Sequence, residues 1–283
     1  MSGLSQQEML DAGVHFGHLR KKWNPKMLPY IFMERKGIHI IDLNKTNEGL
    51  IRAANAMRKI ARSGKKILFV ATKKQAKDLV AKAAEEVGMP HVTERWLGGM
   101  LTNFSTIRKS IKKKQTIEKM LSEKATALTK KERLMLGRER DKLDRILGGV
   151  EDMSRAPSAL FIVDISHEHI ALAEAKRLGI ATFAIVDTNS DPTSVDFAIP
   201  ANDDASKSVG IITNYLINTI KEGLSERQKE KQESDYSDSG SDEQRSNTGG
   251  ESSGDKDQEQ RRRNLRNRKR KPGTGGGGGS TEG

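Results

Sequence analysis

The chain has 283 residues, which is long enough to bury a full hydrophobic core in one or two domains. Its formal net charge of +12 and its pI of about 9.7 favour a polyanionic partner over a small acidic metabolite, because a small ligand does not require so wide a field. The absence of cysteine excludes disulfides, thiolate zinc sites and a cysteine nucleophile, and no apolar run approaches the roughly 20 residues that span a bilayer.

Strand-like and helix-like segments alternate along most of the chain. Short apolar runs bounded by turn residues predict strands, and apolar side chains at helical spacing predict the helices between them. The predicted strands cover residues 38–43, 66–72, 159–165, 181–188 and 195–199. The predicted helices cover residues 47–62, 75–87, 167–178 and 205–222. Strands that are apolar throughout, separated by amphipathic helices, indicate an α/β fold with a doubly wound, mainly parallel sheet that is Rossmann-like in architecture.

An inserted segment, residues 104–150, interrupts this alternation. Two apolar stripes at helical spacing, with a capping-box pattern from Thr129 to Glu132 between them, predict an antiparallel α-helical hairpin. Residues 104–149 hold 14 Lys or Arg against 6 Asp or Glu, a net charge of +8. We expect the basic side chains to face outward toward a polyanion, and an ordinary solvated hairpin is the alternative. These side chains are Arg108, Lys109, Lys112, Lys113, Lys114, Lys130, Lys131, Arg133 and Arg138.

The composition divides the chain into a body, the hairpin and a tail. The hairpin splits the body into residues 1–103 and residues 151–224. Residues 225–283 are rich in Ser, Glu, Asp, Gln and Gly and cannot bury enough apolar surface to offset the entropy of ordering, so we expect a disordered low-complexity tail. The basic cluster in this tail, residues 261–271, is either a solvated charge run or a nonspecific RNA-contacting segment.

Two further stretches predict contacts with nucleic acid. In the N-terminal segment, Pro25 and Pro29 disfavour a helix, so the chain can lie along a nucleic-acid backbone with Trp23 free to stack or, alternatively, buried as a lid on the sheet. In the string from Arg95 to Asn103, a glycine turn lets Trp96 either stack on RNA or pack in the core. The candidate contacts are Arg20, Lys21, Lys22, Trp23, Lys26, Arg95, Trp96 and Asn103, together with Arg108, Lys109, Lys112 and Lys113 of the hairpin.

Carboxylates follow two predicted strands at the point where each strand ends. Asp164 and Asp187 take these positions, where open α/β sheets bind ligands, and Asp191, Asp203 and Asp204 follow on nearby loops. If Asp187, Asp191 and Asp203 converge, a magnesium-like ion would relieve their mutual repulsion in a structural role, with His18 or Asn202 nearby. The alternative is that these acids cap turns and the last helix.

The sequence contains no nucleotide-binding motif. Neither the glycine pattern of dinucleotide-binding folds nor the Walker phosphate loop occurs, and the architecture of the sheet does not by itself imply a nucleotide. The enzymatic alternative is a metal-dependent phosphate-ester hydrolase that uses a crevice between Asp164 and Asp187. None of the six histidines is convincingly placed as a base for this chemistry. We therefore expect a protein that is not an enzyme and requires no cofactor, apart from the structural magnesium considered above.

Four separated motifs resemble those of the bacterial small-subunit ribosomal protein two family. The match runs in the same order over roughly residues 4–224, with the predicted hairpin at the corresponding place, while the tail is longer than the family pattern. The motifs are Leu10-Asp11-Ala12-Gly13-Val14-His15-Phe16-Gly17-His18, the string from Arg95 to Asn103, the run from Pro157 to Asp164 with His167-Glu168-His169, and Ile185-Val186-Asp187-Thr188-Asn189-Ser190-Asp191-Pro192.

The resemblance implies a structural constituent of the small ribosomal subunit that supports translation. It also implies binding to ribosomal RNA near the head–body junction, contacts with neighbouring small-subunit proteins, and a part in docking ribosomal protein one, which handles messenger RNA. No membrane association and no homo-oligomer are expected. The first ten residues lack the apolar core of a signal peptide, so the expected location is the cytoplasm.

Overall fold

The N-terminal part of the chain folds into a small antiparallel sheet flanked by two helices. The computed structural model describes residues 3–123 and 128–246. The strand order in this sheet is β1-β3-β2, so β3 lies in the middle. The elements are α1 (Gln6–Asp11), β1 (Phe16–Leu19), β2 (Ile31–Arg35), β3 (Ile38–Ile41) and α2 (Leu43–Arg62).

Residues 38–43, predicted as a strand of the parallel layer, belong instead to this separate sheet. β3 pairs antiparallel with both β1 and β2. A two-residue turn, Lys36-Gly37, joins β2 to β3 with φ angles of 52° and 76°. Positive φ at both central positions is the type I′ geometry, whose twist matches that of a hairpin. The prediction of a parallel strand here was wrong because this tight turn makes the two neighbouring segments pair with each other.

The body of the protein is a five-stranded sheet in which all strands are parallel. The strand order is β5-β4-β6-β7-β8. From β4 the chain adds β5 on one side and then β6, β7 and β8 on the other, so the direction in which strands are added changes between β4 and β6. The predicted doubly wound α/β fold is confirmed, although the short strand β5 was not predicted. The elements are β4 (Ile67–Val70), α3 (Lys77–Glu86), β5 (His91–Val92), α4 (Phe104–Glu123), α5 (Lys130–Leu147), β6 (Ala159–Val163), α6 (His169–Arg177), β7 (Ala181–Val186), β8 (Phe197–Pro200) and α7 (Ser206–Ser246).

Alternate side chains of each strand enter two hydrophobic cores, one on each face of the sheet. In β4, Ile67 and Phe69 join a core built with α2, α3 and α7, whereas Leu68 and Val70 join a second core built with α6 and the bases of α4 and α5. Because successive strand side chains point to opposite faces, a strand covered on both sides is apolar at every position. This double coverage explains why β4 and β6 are buried along their whole length.

At each edge of the parallel sheet, a glycine lies against a backbone carbonyl of the edge strand. Pro90 and Val92 accept hydrogen bonds from β4, so the carbonyl of His91 between them points away from the sheet. A Cβ atom at Gly149 would lie 2.3 Å from that oxygen. At the opposite edge, a Cβ atom at Gly49 of α2 would lie 2.7 Å from the carbonyl oxygen of Ala198. Only glycine lets these backbones come so close.

The helices α4 and α5, which cover most of the inserted segment, pack against each other. Lys114 in the middle of α4 contacts Asp144 near the end of α5, whereas Leu121 at the end of α4 lines the same cavity as Arg133 near the start of α5, which gives an antiparallel arrangement. The capping box at Thr129 and Glu132 begins α5. Residues 124–127, where the turn of the hairpin was predicted, lie outside the described residues. Among residues 3–123 and 128–246, no helix is long and apolar enough to cross a membrane.

The last helix is longer than predicted. α7 was expected to end near residue 222, with disorder from residue 225, but it continues to Ser246. Arg58 and Arg62 of α2 form ion pairs with Glu226 and Glu230, which favours continuation of the helix. The expectation of disorder is therefore not met over residues 225–246. The chain divides into the units Met1–Glu230 and Lys231–Gly283, and the predicted basic cluster of residues 261–271 lies outside the described residues.

Candidate nucleic-acid interface

An exposed basic stripe covers the first half of α4. From Phe104 to Ile117 the helix contains no acidic residue. Ile107 and Ile111 face the core, and the opposite side presents four basic side chains to solvent. Their spacing of one, three and one residues places them on one face of the helix. These side chains, here called the basic face of α4, are Arg108, Lys109, Lys112 and Lys113.

Lys114, predicted to face outward with its neighbours, is buried. Its side chain is 6% exposed, and its Nζ lies 2.6 Å from Asp144 and 2.5 Å from Glu151. Burial opposes a charge here, but the hydrogen bonds that the ammonium donates to these two carboxylates raise the pKa of Lys114 above its ordinary value. The prediction was wrong because Ile107, Ile111 and Lys114 follow one another at spacings of four and three residues, which places Lys114 in the buried stripe of the helix. That spacing was a signal in the sequence.

Trp96 is packed in the core and does not present its ring for stacking. It is 8% exposed, and its Nε1 donates a hydrogen bond of 3.1 Å to Glu174. The two flanking candidates, Arg95 and Asn103, are exposed. The Oδ1 of Asn103 accepts hydrogen bonds from the hydroxyls of the first turn of α4, so Asn103 also helps to begin that helix. The core alternative for Trp96 is therefore the observed one.

Glu174 of α6 organises the whole loop around Trp96, and sequence reasoning missed it. Its carboxylate accepts hydrogen bonds from the backbone N–H groups of Gly99, Leu101 and Thr102 and from the hydroxyl of Thr102, at 2.8 to 3.1 Å. Burial alone would raise the pKa of Glu174, but these donors outweigh burial and lower it. A glutamate in the middle of an amphipathic helix gives no local sign that it will face five donors from a distant loop.

The N-terminal basic segment is folded into short 3-10 turns. Arg20–Lys22 and Pro25–Tyr30 form these turns, so the segment is not the extended strip that was predicted, because proline is accepted at the start of such a turn. The side chains of Arg20, Lys21, Lys22 and Lys26 are exposed. The ring of Trp23 is half-buried over His39, with centroids 5.2 Å apart. One face of the Trp23 ring thus packs on His39 of β3, as in the alternative in which Trp23 covers a sheet.

The carboxylates at the strand ends converge around one buried ammonium group. Lys73 follows β4, and its Nζ lies 2.7 Å from Asp164, 2.9 Å from Asp203 and 2.8 Å from Asp204. His18 bridges Asp187 at 3.0 Å and Asp204 at 3.3 Å. Lys73 occupies the same strand-end position as the predicted acids, so the reasoning applied to the acids could also have found it.

The protonation states in this cluster follow from burial and from the neighbouring charges. Burial, together with the charges of Asp187 and Asp164, raises the pKa of Asp203 to about 7. Burial opposes the charge of Lys73, but hydrogen bonds to three carboxylates outweigh it and raise the pKa of Lys73. The hydrogen bond to Asp187 raises the pKa of His18. Lys73 and His18 therefore neutralise part of the negative charge of the four carboxylates in the cluster.

The predicted metal ligands are only partly brought together. Asp191 binds Lys26 at 2.6 Å and caps Thr193, and the Lys26 ammonium lowers the pKa of Asp191 to about 2. Asp191 thus belongs to an ion pair rather than to the cluster. Within the described residues, a group suited to a cation is formed by His18, Asp203 and Asp204, whose ligand atoms lie within 4.8 Å of one another. The buried Oδ2 of Asp203 has no hydrogen-bond partner, which fits a cation ligand.

The alternative that the acids cap turns is confirmed in part. Asp164, at φ 65°, accepts hydrogen bonds from the N–H groups of Ser166 and His167. Just before α7, the side chain of Asn202 closes a turn by accepting hydrogen bonds from the N–H groups of Asp204 and Ala205. The crevice between β4 and β6, where this strand order places ligands, is spanned by the ion pair between Lys73 and Asp164.

The ligand crevice of the body is filled by the protein's own ammonium group, and the body carries an exposed basic helix. This is the architecture of a nucleic-acid-binding protein rather than an enzyme. Residues 9–223 match the family model described as "Ribosomal protein S2", and the chain belongs to the ribosomal protein S2 family. The predicted resemblance is thereby confirmed. The family consists of structural ribosomal proteins, and the hydrolase alternative has no support.

Curated relatives cover most of the chain. The small ribosomal subunit protein uS2 of Cytophaga hutchinsonii is 60% identical over 229 residues, which are 81% of this chain and 90% of the relative. The protein of the same name from Bacteroides thetaiotaomicron is 58% identical over 232 residues, 82% of this chain and 84% of the relative. That of Christiangramia forsetii is 58% identical over 225 residues, 79% of this chain and 75% of the relative.

Proposed function

We propose that this ribosomal protein is held on the RNA of the small subunit chiefly by the basic face of α4. The observation that supports the proposal is the exposure of Arg108, Lys109, Lys112 and Lys113 on a helix surface that carries no acidic residue from Phe104 to Ile117. The role is structural: the protein is a constituent of the small ribosomal subunit, contacts ribosomal RNA and neighbouring subunit proteins, and supports translation.

The proposed contacts are made with phosphates and not with base edges. Lysine and arginine on a helix surface neutralise the RNA backbone and fix the register of the protein without reading the sequence. A second contact is proposed at the N-terminal turns, where Trp23 retains a partly exposed ring for stacking and basic side chains surround it. The proposed residues of this second contact are Arg20, Lys21, Lys22, Trp23 and Lys26, with Arg95 and Asn103 beside α4.

Removal of the basic face of α4 tests the proposal. We expect replacement of Arg108, Lys109, Lys112 and Lys113 together by Gln to weaken binding to small-subunit RNA. The slope of log affinity against log salt should fall by about 0.7–0.9 for each phosphate that the variant no longer neutralises, because each neutralised phosphate releases counterions from the RNA. The measurement is a salt titration of RNA binding, followed by sedimentation with small subunits.

A matched control separates local contact from total charge. One arginine and three lysines that are exposed elsewhere, Arg52, Lys59, Lys82 and Lys176, are replaced by Gln in a second variant with the same change of net charge. We expect this variant to keep a slope close to that of the wild type. Equal slopes in both quadruple variants would overturn the assignment of the α4 face.

The more specific binding partners are proposed from the family resemblance alone. They are the RNA at the head–body junction and ribosomal protein one, with the cytoplasm as the location. We propose that the body contributes to docking ribosomal protein one on the subunit. Sedimentation of that protein with small subunits assembled with and without this chain tests the proposal, and equal retention in the two preparations would exclude it.

A structural divalent cation is proposed at His18, Asp203 and Asp204, with Asp187 behind His18. This site replaces the predicted set that contained Asp191. Magnesium retains several of its own waters and needs only one or two carboxylates, so the unpartnered Oδ2 of Asp203 is the expected ligand. A cation here would add to the neutralisation already provided by Lys73 and would have no catalytic role.

Thermal melting tests the cation. A ligand that binds only the folded state must raise its stability, so we expect millimolar magnesium to raise the melting temperature of the wild type and to have a smaller effect on an Asp203→Asn and Asp204→Asn double variant. Zinc is measured in parallel because the imidazole of His18 suits that ion better. The same shift in both proteins, or none in the wild type, would reject the site.

A further inference from the structure

Lys114 joins three segments of the chain through one buried ammonium group. The residue lies on α4, and its Nζ contacts Glu118 of the same helix at 3.7 Å. It also contacts Asp144 of α5 at 2.6 Å and Glu151, which follows α5, at 2.5 Å. The amide of Gln115 donates a further hydrogen bond to Glu151 at 3.1 Å. A single cation therefore connects both helices to the turn that follows them.

The turn around Glu151 is fixed to the body of the protein. Val150 and Met153, on either side of Glu151, are buried in the core beneath the parallel sheet. Gly149, just before them, lies against the carbonyl of His91 at the edge of that sheet. The ion pair between Lys114 and Glu151 is thus a connection between the α4/α5 pair and the body, and it is distinct from the contacts of the two helices with each other.

The distal half of the α4/α5 pair has weaker packing than its base. Met120, Leu134 and Met135 are exposed, although two of them belong to the apolar positions predicted for the hairpin. Ile107, Ile111 and Leu147 at the base are buried. The direction in which the distal half projects is therefore set at the base, where Lys114 lies.

We propose that Lys114 is a positioning residue that fixes the direction of the α4/α5 pair relative to the parallel sheet. It thereby sets where the basic face of α4 meets RNA, and this second part rests on the proposed function. Lys114 itself does not contact RNA, because its ammonium is enclosed by carboxylates. Its neighbour Lys113 is exposed and belongs to the basic face.

The expected displacement can be calculated from helix geometry. From Lys114 to Glu123 the helix rises by about 14 Å, at about 1.5 Å for each residue. A tilt of about 15° at Lys114 would move the distal end by about 3–4 Å. Loss of the ammonium leaves Asp144 and Glu151 to repel each other across the base, which favours such a tilt.

Distance measurement between spin labels tests the positioning role without RNA. The chain has no cysteine, so the substitutions Lys82→Cys on α3 and Lys131→Cys on α5 provide two unique labelling sites at exposed positions of the full-length protein. We expect Lys114→Met to widen the distance distribution and shift its centre by about 3–4 Å. The matched control Lys112→Met, which removes the same charge from an exposed position two residues earlier on α4, should leave the distribution unchanged.

A second-site variant distinguishes positioning from simple loss of charge. Replacing a buried ion pair by two apolar side chains of similar volume is often tolerated, so Lys114→Met with Glu151→Met should restore the wild-type distribution. RNA affinity should fall severalfold in Lys114→Met and recover in the double variant, although the lysine is still absent.

The outcomes separate this inference from the proposed function. An unchanged distance distribution in Lys114→Met, or an equal widening in Lys112→Met, overturns the positioning role regardless of RNA binding. If the distances change as expected but the quadruple Gln variant binds RNA with the wild-type salt slope, the α4 contact fails while Lys114 still positions the helices.

Discussion

Replacing Lys73 by Met is expected to destabilise the protein by about 3–5 kcal/mol, because it leaves buried carboxylates without their shared cation. Lys73 holds Asp164 and Asp203, whose side chains are 6% and 0% exposed, together with Asp204. The loss is measured as a lower midpoint of urea unfolding at neutral pH. It should be accompanied by looser packing where β4 and β6 end.

Two further variants make this result specific. Lys74 is the next residue and is exposed, so Lys74→Met should change stability by no more than about 0.5 kcal/mol. Adding Asp203→Asn to Lys73→Met removes one of the repelling charges and should recover part of the loss. If Lys73→Met unfolds at the same urea concentration as Lys74→Met, the ammonium does not hold the cluster together.

Replacing Glu174 by Gln is expected to cost about 3 kcal/mol, although the two side chains have nearly the same shape. The carboxylate accepts from five donors, and an amide must turn its own N–H₂ group toward some of them, which leaves buried donors unsatisfied at about 1–3 kcal/mol each. The fluorescence of Trp96 should report loosening of the loop at lower urea concentration. Glu86→Gln, a change of an exposed carboxylate, is the matched control with an expected effect within about 0.5 kcal/mol.

The same substitution should change the acid dependence of stability. The pKa of Glu174 is lowered in the folded protein. The stability that its ionised carboxylate contributes is therefore fully present above the pKa that Glu174 has in the unfolded chain, and it is lost as the pH falls through the lower pKa of the folded state. The difference in unfolding free energy between the wild type and Glu174→Gln should therefore be largest near neutral pH and shrink in acid. A difference that is constant from neutral pH into acid would contradict the ionised state of Glu174.

The parallel sheet could be predicted from the sequence because its signal is local. β4 and β6 are apolar at every position, and the amphipathic helices between strands have their own spacing. The antiparallel sheet could not be derived in the same way. Its strands β2 and β3 are also short apolar runs, but their pairing with each other depends on the turn between them, where Lys36, a residue other than glycine, adopts a positive φ.

Exposed and buried charges differ in how far sequence can predict them. The four side chains of the basic face of α4 were placed correctly on the surface because an unbalanced cluster of lysines rarely enters a core. Lys114 was misplaced although its spacing indicated the buried stripe, since composition was given more weight than position. Glu174 depends on partners from 72 to 78 residues away in the chain, and no local pattern specifies such partners, whereas Lys73 could have been found from its strand-end position.

The two glycines that close the edges of the parallel sheet bear on the behaviour of the chain before it joins a ribosome. An unpaired sheet edge is a template on which a second chain can add a strand, and this leads to aggregation. Gly149 covers the outward carbonyl of His91, and Gly49 covers that of Ala198, so newly made copies present neither carbonyl to one another. A side chain at either glycine would push the segment that contains that glycine away from the edge of the sheet. Its first effect would be a loss of protein to aggregates during synthesis, before any effect on RNA binding.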